Sequence, residues 1–146
     1  MQLESMYQEL ILDHYKHPQG KGLREPYVTE VHHVNPTCGD EITLRVSGDE
    51  QAFSISYDNQ GCSISQASAS MMFDLIDGKS YADAMRVADA FVDMMQTQGS
   101  GEPDEAVLED AVAFHGVSKY PARVKCALLG WMAYKDAAAA AIAGKR

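Results

Sequence analysis

The chain has 146 residues, 46% of them hydrophobic, and a formal net charge of −9. This length fits one domain, residues 1–146, large enough to bury a sizeable core, and the apolar content is that of a globular chain rather than a disordered one. The acidic balance argues against a nucleic-acid partner, which would need clustered Lys and Arg, and is compatible with a basic protein partner.

No apolar run approaches the ~20 residues needed to span a bilayer, so no membrane association is expected. The start, MQLESMYQEL, has no basic n-region and no apolar h-region. A secretory signal is therefore not expected, and the cytoplasm is the expected compartment.

In chain order, SMYQELILDHYKHPQGKG opens with a helix. Tyr7, Leu10, Ile11, His14 and Tyr15 recur at helical spacing on one face. Ser5 offers an N-cap, and Pro18 with Gly20 stops the run. Three strand-like segments follow. YVTEVHHV, 27 to 34, is β-branched; EITLRVSG alternates Ile42, Leu44 and Val46 with polar neighbours; AFSISYD alternates Phe53, Ile55 and Tyr57. Period-two alternation means one buried face. Gly48, Asp49 and Glu50 join the last two as a hairpin. With such short connections the expected fold is α+β, a small three-stranded antiparallel meander packed against helices on one face.

After the turn NQG, the run CSISQASASMMFDLID reads as a helix with small residues first and Met71, Met72, Leu75 and Ile76 later. Gly78 is its C-terminal stop. Ser80 with Asp83 reads as a capping box for a helix through Met95. QTQGSGEP, 96 to 103, is a turn-rich connector. DEAVLEDAVAFHG is helix-like, and VSKYPARV leads into a last helix from about Lys125 to Ala143, with a frayed basic end, GKR. There is no internal repeat.

The cysteines are Cys38, Cys62 and Cys126, odd in number and widely spaced. A disulfide framework is therefore not expected. Three readings are open: buried bystanders, catalytic groups or metal ligands. Cys38 lies in a polar turn, NPTCGDEI. Cys62 and Cys126 fall at expected helix starts, where free N–H groups and a partial positive charge favour thiolate. Were the three to converge, Asp40, two residues from Cys38 and on its side of an extended turn, supplies an oxygen ligand. Three thiolates and a carboxylate make a tetrahedral set suited to zinc or to iron–sulfur chemistry. The plainer reading of Asp40 is a turn-stabilising residue. Arg123, near Cys126, offers a charge to a thiolate or bound anion; its plainer reading is a surface arginine. His32 and His33 point to opposite faces of a strand, and His14, His17 and His115 have no cysteine or carboxylate neighbour that suggests a ligand set. No Ser-His-Asp signature, P-loop, GxGxxG or HExxH is present, so hydrolase and kinase readings have no anchor.

These motifs carry a resemblance. YQELILDHYKHPQG, NPTCGDEI, NQGCSISQASASMM and AFHGVSKYPARVKCALLGW, spread over nearly the whole chain, resemble the IscU/SufU family of iron–sulfur cluster assembly proteins. The SufU branch is the closer. Sixty-three residues separate Cys62 from Cys126, matching the longer segment of that branch. Lys125 stands where the IscU branch has a histidine before its third cysteine.

The resemblance implies that Cys38, Asp40, Cys62 and Cys126 bind zinc, with an iron–sulfur cluster scaffold on the same residues as the alternative. It implies a SufS-type, PLP-dependent cysteine desulfurase as partner and downstream cluster-assembly proteins as recipients. Cys38 matches the sulfur acceptor, and Arg123 matches an arginine near the site. The implied activity is of sulfurtransferase type, exercised together with the desulfurase. A ligand from the partner would replace Cys38 on zinc, and the freed thiolate would attack the outer sulfur of the persulfide.

Overall fold

The computed structural model describes residues 4–144. Met1 to Leu3, and Lys145 with Arg146 of the basic end, lie outside the described residues.

The alternating segments form the expected antiparallel sheet, in the order β1 (Thr29–Asn35), β2 (Asp40–Asp49), β3 (Ala52–Gln60). The inward row of β2 is Asp40, Ile42, Leu44 and Val46, all buried, and Leu44 pairs across β3 with buried Tyr57. The hairpin turn falls at Glu50–Gln51, later than Gly48–Glu50, because Asp49 still pairs with Ala52. Two further limits shift. β1 begins at Thr29 and runs to Asn35, and Asn59 and Gln60 are paired in β3 rather than turning, which leaves the turn to Gly61.

The helices are α1 (Ser5–Lys16), α2 (Ser63–Ile76), α3 (Tyr81–Met95), α4 (Glu105–Leu108) and α5 (Pro121–Ala143). α5 lies across β1 and β2 and against α2, while α1 packs on the far side of α2. Small side chains let α2 and α5 come close: Ser68 meets Ala127 and Ala69 lies against Gly130, and all are buried. The buried polar groups between them are satisfied, since Ser68 Oγ donates to the Ala127 carbonyl at 2.6 Å and accepts from Trp131 Nε1 at 3.0 Å. Trp131 also stacks on Phe91 of α3, centroids 4.4 Å apart.

The inward side chains of β1 tie it to α5. Thr29 Oγ1 donates to the Ala137 carbonyl, His33 Nε2 meets Asp136 Oδ2 at 3.0 Å, and Asn35 Nδ2 points to Cys126 Sγ. The outer edge of β3 is covered by two backbone donors and a side-chain acceptor: Gly22 N–H donates to the Tyr57 carbonyl, Gly78 N–H to the Phe53 carbonyl, and the Asp77 carboxylate accepts from Ile55 N–H.

Several helix limits differ from expectation. Ser5 is the first residue of α1, with Glu4 at the cap position and no side-chain cap bond. On α1, Ile11 and His14 are buried but Tyr15 is exposed. The segment 104–116 is not one α-helix. It is the single turn α4, then a 3-10 helix, Glu109–Lys119, and the break coincides with Glu109 in the left-handed region at φ 48°. α5 begins at Pro121, four residues before Lys125, because proline suits the first helical position: its φ is already set and its missing N–H would have had no partner. Ser80 caps α3 as expected, accepting from Asp83 N–H at 3.1 Å. Among the described residues no helix is long and apolar enough to cross a membrane.

Candidate metal centre

β2 opens with Asp40, one step before Ile42 on the core-facing row. A carboxylate is thereby drawn into the end of the apolar layer, where it is fully buried. None of the ion pairs among the described residues involves it. Its Oδ1 accepts from Cys62 N–H at 2.8 Å, and Oδ2 lies 3.9 Å from Cys62 Sγ. A buried carboxylate without a cation is costly. Three thiols and one carboxylate at the end of a sheet form a donor set that fits a thiophilic cation.

The turn 36–39 carries Cys38 back toward this carboxylate. Cys38 N–H donates to the Asn35 carbonyl at 3.3 Å, and Gly39 takes the positive φ of 71° that completes the turn. Cys38 Sγ, one Asp40 oxygen and Cys126 Sγ all lie within 4.8 Å of one another. Cys62, the N-cap of α2, lies outside that mutual group but touches it through Asp40. The structure thus groups Cys38, Asp40 and Cys126, and sets Cys62 beside Asp40.

Cys126 reaches the site by another route than expected. Since α5 starts at Pro121, Cys126 sits in the second helical turn, not at the helix start. Its amide is committed to the helix ladder, and the N-terminal charge argument does not apply to it. Burial first, then hydrogen bonding to Asp40, Cys38 and Cys62, pushes the Cys126 thiol well above the ordinary cysteine range. Without a cation that thiol keeps its proton; a bound cation would reverse the balance.

Arg123 is exposed on the first turn of α5, and among the described residues its side chain makes no hydrogen bond or ion pair. The histidines stay out of the cluster. His32 bonds Thr43 Oγ1 on the outer face of the sheet, and His33 meets Asp136. His14 is held elsewhere: its Nδ1 bonds Ser70 Oγ at 2.7 Å and its Nε2 lies 3.8 Å from Asp74. Two residues of the site were not singled out from the sequence. Asn35 directs its amide at Cys126 Sγ at 3.9 Å, and Gly61 leaves room for the Asp40 carboxylate, which a Cβ there would meet at 2.2 Å. The signal for Gly61 was its place directly before Cys62. For Asn35 there was only its place at the head of the same turn.

The family model for the NifU-like N-terminal domain matches residues 6–127, a span containing all three cysteines. The chain belongs to that family. Within the NifU-like N-terminal domain family it is 44% identical, over 140 residues, to the zinc-dependent sulfurtransferase SufU of Bacillus subtilis strain 168, covering 94% of this chain and 92% of that protein. It is 41% identical to the iron–sulfur cluster assembly scaffold protein IscU of Streptococcus pyogenes serotype M1, covering 92% of this chain and 84% of that protein. The fold matches the crystal structure of a candidate iron–sulfur cluster assembly scaffold for the SUF system from Fervidobacterium islandicum AW-1. The TM-score is 0.79 at 34% identity, covering 92% of this chain and 98% of that one. This member of the NifU-like N-terminal domain family therefore has the SufU/IscU-like architecture, a three-stranded antiparallel sheet with helices packed against it.

Proposed function

We propose that this chain, acting as a single domain in the cytoplasm, is a zinc-dependent sulfur acceptor in iron–sulfur cluster assembly. Its donor would be a SufS-type, PLP-dependent cysteine desulfurase, and its recipients downstream cluster-assembly proteins. Cys38, Asp40, Cys62 and Cys126 would hold the zinc. The observation that carries this reading is the contrast within the cluster. Cys38 is half-buried on a four-residue turn, whereas Asp40 and Cys126 are fully buried on β2 and α5. Cys62 is half-buried too, but it is fixed at the N-cap of α2 with its N–H bonded to Asp40, which leaves Cys38 as the half-buried sulfur carried on a turn. The relative of 44% identity named as a zinc-dependent sulfurtransferase supports the same reading.

Bound zinc would supply positive charge that keeps the thiols deprotonated. The Cys38 thiolate would attack the outer sulfur of the desulfurase persulfide. The sulfur–sulfur bond of the donor breaks, a new one forms on Cys38, and the donor cysteine leaves as a thiolate that takes up a proton. Asp40 would hold Cys62 in place through the backbone N–H, and Arg123, exposed on the first turn of α5 three residues before Cys126, would meet the partner or its anionic persulfide.

Desulfurase turnover, measured with and without this chain in metal-free and zinc-loaded forms, is the test. The zinc-loaded chain accelerates sulfide release, and Cys38→Ala abolishes the acceleration. No stimulation by either form sinks the reading. A scaffold for an iron–sulfur cluster on the same residues is favoured by the 41% identical relative of that name and by the suitability of thiolates for both metals. A brown protein whose reconstituted cluster passes to an acceptor would select it. A colourless one with stoichiometric zinc selects sulfur transfer.

A further inference from the structure

The three sulfurs of the site have different polar neighbours. Cys38 Sγ faces a carbonyl, that of Ala122, at 4.0 Å. Cys62 Sγ lies 3.9 Å from Asp40 Oδ2 and 3.9 Å from Ser65 Oγ, whose own proton goes to the Cys62 carbonyl at 3.0 Å. Cys126 Sγ lies 3.6 Å from that same Ala122 carbonyl and, unlike Cys38, also has an amide N–H aimed at it, from Asn35 Nδ2 at 3.9 Å. Asn35 is itself buried, at 7% exposure, and cannot trade that contact freely for water.

Asn35 touches the other corners as well. It is the last residue of β1 and pairs in register with Asp40, and its carbonyl accepts from Cys38 N–H. A single residue thus links the strand that carries the carboxylate, the turn that carries Cys38 and the helix that carries Cys126. An N–H donor to a metal-bound thiolate draws charge from the sulfur. It lowers the sulfur's reactivity and fixes its orientation, as outer hydrogen-bond partners do for ligands generally. A sulfur facing only a carbonyl gains no such restraint.

We propose that Asn35 is a positioning residue that holds Cys126 as a permanent ligand, so that reactivity is left to Cys38. This rests on the metal-site reading above. The division of roles among three chemically identical thiols would then come from one neutral side chain at the end of β1.

The direct test uses the wild-type chain, labelled with nitrogen-15 and loaded with cadmium-113. One Asn35 side-chain amide proton should move downfield on loading and show coupling to the metal through the sulfur. Cadmium bound with an unmoved Asn35 resonance overturns this inference alone. No cadmium binding at all overturns the metal-site reading and this inference with it. In Asn35→Leu, cobalt(II) affinity should fall about 10-fold or more, in line with outer-partner losses elsewhere. Iodoacetamide should then label Cys126 of the loaded protein several-fold faster, with Cys38 unchanged. Equal affinity and equal labelling in a variant with wild-type circular dichroism also overturn the inference, and if Asn35→Leu does not fold, the cadmium measurement decides.

Discussion

Gly61 stands where β3 ends and α2 is about to begin, with φ at +143°. A Cβ placed there would lie 2.2 Å from Asp40 Oδ1 and 2.9 Å from Asp40 Cα. Backbone conformation and close approach both demand glycine here. Gly61→Ala should therefore cost about 1–3 kcal/mol of stability in the metal-free chain, the usual range for strained backbone. It should also weaken cobalt(II) binding, because Asp40 must shift. Urea unfolding and cobalt titration would check both, and wild-type values in the two would show the crowding to be relieved at no cost. Asp40 was marked by its spacing from Cys38. A second signal lay in the same stretch: continuing the row Val46, Leu44, Ile42 back by two residues puts a carboxylate on the core face, which asks for a partner.

At the scale of elements, the strands were legible because alternation reports a half-buried face directly, and Ile42, Leu44, Val46, Phe53, Ile55 and Tyr57 are all buried. The capping pair Ser80 and Asp83 was legible because a cap is a local bond between near neighbours. Ser80→Ala should lower stability by about 1 kcal/mol, read as a shift in the urea midpoint with unchanged slope; no shift would mean that solvent replaces the bond. The start of α5 was less legible. Its first turn, PARV, carries no apolar periodicity, and the informative residue was Pro121. The break at Glu109 has no counterpart in the periodicity of 104–116, since helical spacing does not distinguish an α-helix from a 3-10 helix over so short a run. The meeting of Cys126 with Cys38 was not readable from spacing at all. It depends on α5 lying along β1, through contacts such as Thr29 to Ala137 that span 108 residues of chain.

For the whole molecule, the buried thiol couples stability to pH and to metal in opposite directions. In the metal-free chain the folded state holds the Cys126 proton more tightly than the unfolded state, whose thiol titrates near its ordinary value of 9.0. Both states are protonated below that value, so the stability is undiminished there. Above it only the unfolded state loses the proton, and stability should fall by up to about 1.4 kcal/mol per pH unit. Metal binding instead needs deprotonated ligands, so zinc should bind more tightly and protect more as pH rises toward that range. Urea midpoints of both forms from pH 6 to pH 10, under reducing conditions, should diverge with increasing pH. Parallel curves would mean that no buried thiol links protonation to folding.

The row Asp40, Ile42, Leu44, Val46 has a further consequence, for error control. Side chains alternate strictly along a strand, so a one-residue slip between β1 and β2 would turn the whole row over. Asp40 would leave the site, and three core side chains would face water in the same event. A conformer misassembled in this way would expose apolar surface and be more readily cut by a protease than the native chain. A slipped chain would therefore lose its core together with its centre, because the strand that presents Asp40 also carries Ile42, Leu44 and Val46.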